Sequence, residues 1–355
     1  MTLADEAELF HSPDDQAFAT FPVGDHRENW PVRSRGFRGW LSRRFYQTTG
    51  KAPGNQILQD CLNVVEAKAR YDGTREKNYV RVGTNRDDAL FFDLANEKWE
   101  AVEITPSGWR IVRDPPVKFT RPAGLLPLPT PISRPGTGFT AFRNLTNLGD
   151  ETFVLLVSWL VGALQPEGPY PILVLQGEQG SGKSTAARIL KEIIDPSAGG
   201  LRTIPRNEQD LIIGASNSWI TSYDNISSVH PWLSDGFCRL ATGGALATRE
   251  LYSDRNEIIL DVKRPLIFNG IDSLATRHDL ADRAILVHLP FIQNSKRRTE
   301  KEIWGEFKKA VPLILPDLPD AAACALRNIA NVRLNNLPRM ADFAEWVTAA
   351  EPSLP

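Results

Sequence analysis

The stretch from Pro169 to Asp195 constrains the fold more than any other part of the 355-residue chain. It begins with the apolar run PYPILVLQ, continues with the glycine-rich segment GEQGSGKS, and ends with STAARILKEIID, in which apolar residues recur at helical spacing. A strand, a glycine loop and a helix in this order direct backbone N–H groups and the positive end of the helix towards one point. The stretch therefore predicts a strand and a helix joined by a loop that can hold phosphate.

The glycine loop matches G-x-x-x-x-G-K-[ST], the pattern of loops that bind nucleotide phosphates. Lys183 is expected to neutralise the β- and γ-phosphates, and the Ser184 hydroxyl to bind Mg²⁺. The predicted cofactors are ATP and Mg²⁺. The predicted nucleotide-binding residues are Gly177, Gly180, Ser181, Gly182, Lys183, Ser184 and Thr185. A glycine-rich turn that only resembles such a loop is the alternative.

Composition and charge limit what the chain can do. Hydrophobic residues make up 42% of the chain and charged residues 24%, as in ordinary globular proteins. No apolar run approaches the roughly 18 residues of a membrane span, and the acidic start MTLADEAELFHSPDD lacks signal-peptide features. We therefore expect a cytoplasmic protein without a membrane partner.

The net charge of −2 argues against a monomer that coats nucleic acid by charge alone. Any DNA contact is therefore expected to be local or built by several subunits.

The first predicted domain, 1–114, is a small α+β unit. AFATFPVGDHRENWPV predicts two strands around Gly24, and SRGFRGWLSRRFYQTTG predicts a helix capped by Ser34 and ended by Gly50. A second helix and an antiparallel meander follow. The first helix carries arginines between Arg35 and Arg44, largely opposite its aromatic residues. This pattern favours either a nucleic-acid contact or an ordinary solvated face.

Seven prolines between Pro115 and Pro135 mark a domain boundary, because proline can continue neither a helix nor a central strand. We expect a proline-rich linker over 115–141. Apolar strands alternate with helices over 142–295, which predicts a core with a mostly parallel sheet. The segment 296–355 is predicted to be helical and to open with a capping box at Thr299. The predicted class is therefore α/β, with a small N-terminal α+β domain and a C-terminal helical segment.

Two further strands are predicted to bring polar groups to the glycine loop. NSWITSYDNIS predicts a strand that delivers Asp224, a second Mg²⁺ ligand, with Asn225 at the place where many ATPases carry a catalytic Glu. RPLIFNGI predicts a strand that delivers Asn269 to the γ-phosphate or the attacking water. The alternatives are an Asx turn at Asp224 and a tight turn at Asn269. Asn225 in place of a carboxylate argues against fast hydrolysis.

The run from Ile172 to Pro290 resembles the AAA+ core of superfamily 3 helicases, the replication helicases of small DNA viruses, plasmids and phages. Within it, VKRPLIFNGIDSLATRHDLADRAILVHLP resembles motif C of that superfamily followed by its arginine-finger strand. The resemblance implies that Asn269 is a sensor and that Arg283 is a finger for a neighbouring subunit's ATP. A local salt bridge of Arg283 with Asp279 or Asp282 is the alternative. The wider chain is similar to ATP-binding proteins of prophages and integrated mobile elements, some of them joined to primase modules.

ATRELYSDRNEIILDVKRP predicts a β-hairpin between Asp224 and Asn269. In the helicases that the chain resembles, such a hairpin lines a central pore and grips single-stranded DNA. The resemblance implies DNA contacts by Arg249 at the base of the hairpin and Arg255 near its tip. A tip that is charged only because it is solvated is the alternative.

The first hypothesis is an ATPase that assembles into a ring, expected to be hexameric, and acts as a helicase or translocase on single-stranded or forked DNA. It would serve replication of a phage or mobile element, with a primase as a further partner. Six copies explain how a near-neutral chain could build a positive channel. The second hypothesis is a nucleotide-gated assembly switch with slow hydrolysis. The third is a defence or partner-loading ATPase whose N-terminal unit binds protein.

Overall fold

The N-terminal part of the chain is a four-stranded sheet with two helices. The computed structural model describes residues 4–134, 136–249, 257–270 and 278–355, and for 247–249 and 257–260 it describes the backbone alone. The first elements are β1 (Glu8–His11), β2 (Ala17–Val23), β3 (His26–Pro31), α1 (Arg35–Thr49), α2 (Asn55–Tyr71) and β4 (Thr74–Arg75). The strand order is β3-β2-β1-β4, and the antiparallel pair of β2 and β3 confirms the predicted hairpin.

Both ends of α1 follow from local sequence. The Ser34 side chain accepts a hydrogen bond from the Phe37 N–H, and Gly50 ends the helix with a φ of +66°. A serine at the N-cap satisfies a free backbone donor, and glycine adopts the left-handed conformation without a Cβ penalty. The predicted helix boundaries are therefore confirmed.

An antiparallel meander follows. The strands are β5 (Asn78–Tyr79), β6 (Val82–Thr84), β7 (Leu90–Asp93), β8 (Ala101–Thr105), β9 (Gly108–Val112) and β10 (Lys118–Phe119). The meander consists of β6 to β9, and β5 and β10 form a separate short pair. The strands β6 to β9 pair in sequence order, and β10 pairs in parallel with β5. The start of the proline-rich segment therefore returns to the N-terminal unit.

A parallel sheet covered by helices follows the proline-rich segment. Its region contains α3 (Gly138–Arg143), α4 (Asp150–Gly162), β11 (Ile172–Gln176), α5 (Lys183–Ile194), α6 (Glu208–Ser216), β12 (Thr221–Ile226), α7 (Pro231–Thr242), β13 (Leu246–Arg249), β14 (Glu257–Leu260), β15 (Leu266–Gly270), α8 (His278–Ala281) and β16 (Ala284–His288). The strand order is β12-β15-β11-β16, with every pairing parallel. The predicted α/β class with a mostly parallel sheet is confirmed.

Two helices, α9 (Glu300–Asn328) and α10 (Ala341–Ala350), form the C-terminal part. The predicted capping box opens α9, because the side chains of Thr299 and Glu302 each accept a hydrogen bond from the other residue's backbone N–H. In the described part of the chain, no helix is long and apolar enough to cross a membrane.

Helix α9 continues through Pro312, Pro316 and Pro319, although proline usually interrupts a helix. Each proline removes the N–H that would bond the carbonyl four residues earlier. At Pro316 that carbonyl belongs to Pro312, and it accepts a hydrogen bond of 2.8 Å from the Ile132 N–H instead. The proline-rich segment thus replaces the bond that the helix lacks at Pro316.

One buried cluster joins the meander to the parallel sheet and α9. It contains Phe92 and Ile104 of the meander, Leu173 of β11, Ala187 of α5 and Ile314 of α9. The meander is therefore packed directly against the sheet that carries the glycine loop. The domain boundaries predicted from the sequence stay a prediction.

A buried ionic network lies where the meander meets the end of α5. The Asp195 carboxylate contacts Arg81 Nε at 3.3 Å and Lys191 Nζ at 3.0 Å, and accepts the N–H groups of Trp219 and Ile220. Burial raises the pKa of Asp195, but the two cations outweigh it and hold the pKa below its ordinary value. A buried charge persists only when it is paired. The network therefore fixes the end of α5 against the N-terminal unit.

Candidate nucleotide-binding site

Three strands of the parallel sheet end at the same edge. β11 leads into the glycine loop after Gln176, while β12 carries Asp224 and β15 carries Asn269. The carboxyl ends of parallel strands form the crevice in which such sheets bind ligands. Since β15 lies between β11 and β12, Asn269 is placed between the loop and Asp224.

The loop itself has a backbone that favours glycine. Gly177, Gly180 and Gly182 have φ angles of +147°, +85° and +84°. A Cβ atom on Gly177 would lie 2.5 Å from the Leu289 carbonyl oxygen, so this position excludes a side chain. The Ser181 hydroxyl is buried and has no hydrogen-bond partner within the described ranges. A tight loop whose Ser181 hydroxyl is unpaired among the described residues is suited to binding an anion.

Positive charge is concentrated at the start of α5. The Lys183 ammonium donates to the carbonyl oxygens of Gly177 and Glu178 at 2.6 and 2.8 Å, which holds it across the loop. Gly182 precedes the helix and supplies no side-chain cap. An ammonium group and an uncapped helix N-terminus both favour negative charge at this point. The residues therefore fit a nucleotide's phosphate groups.

Four polar residues form one hydrogen-bonded network beside the loop. The Ser184 hydroxyl donates to Asp224 Oδ1 at 2.9 Å, and Asn269 Nδ2 donates to Ser184 Oγ at 3.3 Å. Asn269 Oδ1 accepts the Asn225 N–H at 2.6 Å. Asn269 is buried within β15, and Asp224 lies within β12, so neither stands in an isolated turn. The fold thus brings together residues from three separate segments.

Ser184 and Asp224 supply the kind of oxygen ligands that Mg²⁺ prefers. The described residues contain no group of three or more His, Cys, Asp or Glu that could hold a metal ion. Mg²⁺ is usually bound by one or two protein ligands, with substrate phosphates and waters completing the shell. The pair therefore fits Mg²⁺ that is held jointly with a nucleotide.

Asn225 has a backbone role that its sequence position does not reveal. Its φ is +55°, in the left-handed region, and the pairing of β12 with β15 shifts register between Tyr223 and Ile226. A bulge of this kind re-aims neighbouring groups, and asparagine tolerates the left-handed conformation better than most residues. The bulge directs the Asn225 N–H at Asn269, while the Asn225 side chain stays exposed.

We expect Asn225→Gly to keep the bulge and Asn225→Val to strain it. A β-branched residue in the left-handed region costs about 1–2 kcal/mol, so the valine variant should lose that much unfolding free energy. Chemical denaturation measures the loss, and ATP turnover shows whether Asn269 stays in place. If the glycine variant loses turnover as fully as the valine variant, the Asn225 amide itself acts in the reaction.

A cleft of about 490 Å³ opens beside the loop. Its walls are loop residues 180–182, residues 144–148 between α3 and α4, and residues 296–298 before α9. The Arg297 guanidinium lies over the Phe291 ring at 5.7 Å, and its Nη2 atom is 2.9 Å from where a Cβ on Gly180 would lie. The volume suits a small-molecule site. Sequence patterns do not indicate these wall residues, because they belong to no recognisable motif.

Arg283 lies at the opposite edge of the sheet from the loop. It directly precedes β16, which pairs in parallel with β11. Arg283 is therefore separated from the loop edge by the length of this five-residue strand, about 16 Å. Its guanidinium donates to the Asp279 carbonyl oxygen at 2.8 Å, whereas Asp282 pairs with Arg339. Within the described residues Arg283 makes no ion pair. This position separates Arg283 from the loop of its own subunit.

The predicted hairpin is confirmed by the antiparallel pairing of β13 and β14. Arg249 is the last residue of β13 and stands opposite Glu257. Arg255 lies outside the described residues. DNA contact by either arginine therefore stays a prediction.

The candidate site lies within a region that matches a known family. Residues 140–352 match the family model for the replication protein of actinomycete integrative conjugative elements, which is more than half of the chain. The chain belongs to this family. Its members are mobile-element replication proteins, which agrees with the setting expected from the sequence. The resemblance to superfamily 3 helicases stays a prediction.

Other comparisons add little. No curated protein sequence matches the chain. The NrS-1 C-terminal region aligns over 100% of this chain and 74% of its own, with 11% identity and a TM-score of 0.49. SCCmec type IV Cch, an active helicase, aligns over 98% and 68%, with 13% identity and a TM-score of 0.49. JCV helicase aligns over 61% and 68%, with 11% identity and a TM-score of 0.30. Likenesses at this level carry no argument about activity.

Proposed function

We propose that this replication protein is an ATP-dependent motor that moves on or unwinds DNA during replication of its mobile element. The observation that carries the proposal is the network of Ser184, Asp224 and Asn269 beside the glycine loop. A P-loop motor needs a phosphate cradle, oxygen ligands for Mg²⁺ and a polar group that orients water or senses the γ-phosphate. The loop after β11 and the ends of β12 and β15 lie at one edge of the sheet, which supports this proposal.

Each residue has a separate role in this proposal. Bound ATP with Mg²⁺ supplies the phosphoanhydride whose hydrolysis drives the motor. Lys183 would offset phosphate charge, while the oxygens of Ser184 and Asp224 would hold the metal ion. Asn269 is held by the Asn225 N–H, and its amide would sense the γ-phosphate or orient the attacking water. The cleft bordered by residues 144–148 would take the nucleoside end, with Arg297 beside the phosphates.

The position of Arg283 supports assembly into a ring. Because the arginine lies at the far edge of the sheet from its own loop, we propose that it acts on the ATP of a neighbouring subunit. A ring, which we propose to be hexameric, would make hydrolysis depend on assembly. It would also place the β13–β14 hairpins of several subunits around one channel, where Arg249 and Arg255 would meet single-stranded DNA. A primase is the further partner proposed.

One observation favours a second candidate function. The Asn225 side chain is exposed rather than held against the network, at the position where the sequence leads us to expect a catalytic carboxylate in many ATPases. Without a carboxylate there, hydrolysis would be slow, and nucleotide binding could control assembly alone. This is a nucleotide-gated switch.

ATP turnover with and without single-stranded DNA distinguishes the two functions. The motor proposal predicts that DNA stimulates turnover and that removing Mg²⁺ abolishes it. As a control, Asp224→Asn should reduce turnover in both conditions, since one metal ligand is weakened. Tight nucleotide binding with turnover that DNA leaves unchanged would favour the switch and contradict the motor.

A further inference from the structure

One face of α1 carries positive charge and an exposed aromatic ring. We call Arg35, Arg38, Arg43 and Tyr46 the α1 arginine face. Successive helical residues turn by about 100°, so these four side chains fall within an arc of about 140°. All four are exposed, and Tyr46 is 61% exposed. The opposite side of the helix is buried in the N-terminal core.

The arginines around α1 fall into two groups. Arg33 pairs with Glu66, and Arg44 pairs with Glu6, so these two are neutralised. In the described part of the chain, Arg35 and Arg43 have no ion pair or hydrogen bond from their side chains. Arg38 makes only a 3.4 Å hydrogen bond to the amide oxygen of Asn55. The outward charges are therefore uncompensated.

An ordinary solvated helix does not explain this pattern. Solvated helix faces usually mix charges of both signs, whereas α1, RGFRGWLSRRFYQTT, contains no acidic residue. The whole chain has a net charge of −2, so the excess of positive side chains on this helix is a local feature and not a property of the chain as a whole. A Cβ on Gly39 would meet no atom within 4 Å, which leaves the middle of the face open to close approach by a backbone.

We infer that the α1 arginine face binds single-stranded DNA, with phosphates at the three guanidinium groups and one base stacked on Tyr46. Proteins that bind single strands combine basic surfaces with aromatic side chains, because an unpaired base exposes its ring. A duplex keeps its bases stacked and would leave Tyr46 without this contact. The inference rests on the proposed function only for the choice of DNA as the substrate.

The test compares two triple variants of the full chain without nucleotide. Arg35→Ala/Arg38→Ala/Arg43→Ala removes the face, and Arg86→Ala/Arg110→Ala/Arg113→Ala removes the same charge from exposed arginines of the meander region. Anisotropy of a labelled oligothymidylate gives the affinity between roughly 50 and 200 mM salt. The face variant should lose affinity and lower the salt slope by about 2, since three contacts contribute about 0.7 each. The meander variant should keep the wild-type slope.

Tyr46 provides a second, independent readout. Tyr46→Ala should weaken single-strand binding by roughly tenfold or more through lost stacking, whereas Tyr46→Phe should retain it. ATP binding should be unchanged in every variant, which shows that the core remains folded. Equal affinities of the two triple variants would overturn the inference. The inference would also be overturned if the face variant lost affinity for duplex DNA alone, or if the wild-type chain bound no single-stranded DNA.

The outcomes separate this inference from the motor. If the wild-type protein hydrolyses no ATP but the face variant loses single-strand affinity, the motor is wrong and the DNA-binding face stands. If DNA stimulates turnover equally in both triple variants and their affinities match, the motor stands and the face does not bind DNA.

Discussion

Arg283→Ala is expected to lower ATP turnover by roughly 10³–10⁵-fold while ATP affinity stays close to wild type. An arginine supplied across an interface stabilises charge that develops on the transferred phosphoryl group, so its loss affects turnover far more than binding. The location of Arg283 at the edge opposite the loop is the reason to expect intact binding, because the subunit's own cradle is unchanged.

Arg339→Ala is the matched control for this prediction. It removes a guanidinium that pairs with Asp282, the residue next to Arg283, and that has no proposed role with nucleotide. An exposed ion pair of this kind contributes little to stability. Steady-state turnover and calorimetric ATP binding should be near wild type in this variant. Wild-type turnover in Arg283→Ala would contradict the shared site.

Lys183→Ala is expected to weaken ATP binding by roughly 10–150-fold and to abolish turnover. The change removes hydrogen bonds to charged groups, each contributing about 1.5–3 kcal/mol, which is the basis of that range. Calorimetry with ATP and Mg²⁺ measures the affinity. Arg188→Ala, an exposed cation on the same helix, should bind ATP normally. If a folded Lys183→Ala protein binds and hydrolyses ATP as wild type does, the loop does not hold the phosphates.

Short-range signals in the sequence predict several elements well. Ser34 and Gly50 fix both ends of α1 because capping depends on residues that are adjacent in the chain. The glycine loop is equally local, since each of its positive φ angles falls on a glycine. The alternation of apolar strands and helices also predicts the parallel sheet.

Features that depend on distant segments are not predictable in the same way. The α9 carbonyl that Pro316 leaves free is bonded by Ile132, which lies far from it in the chain. The bulge at Asn225 appears only once β12 pairs with β15, so the sequence suggests a replaced catalytic side chain and not a backbone role. The cleft beside Arg297 is assembled from three segments with no shared motif. Each of these features is produced by tertiary contacts.

Subunit mixing tests the central claim of a shared-site motor on DNA most directly. A Lys183→Ala subunit and an Arg283→Ala subunit are each expected to be inactive alone. Mixed in the presence of single-stranded DNA, they should regain part of the wild-type turnover, because some interfaces then join an intact loop to an intact arginine. Energy transfer between labelled subunits shows whether the two variants exchange. Exchange with recovered, DNA-stimulated turnover is the predicted result, and exchange without any recovery would contradict the claim.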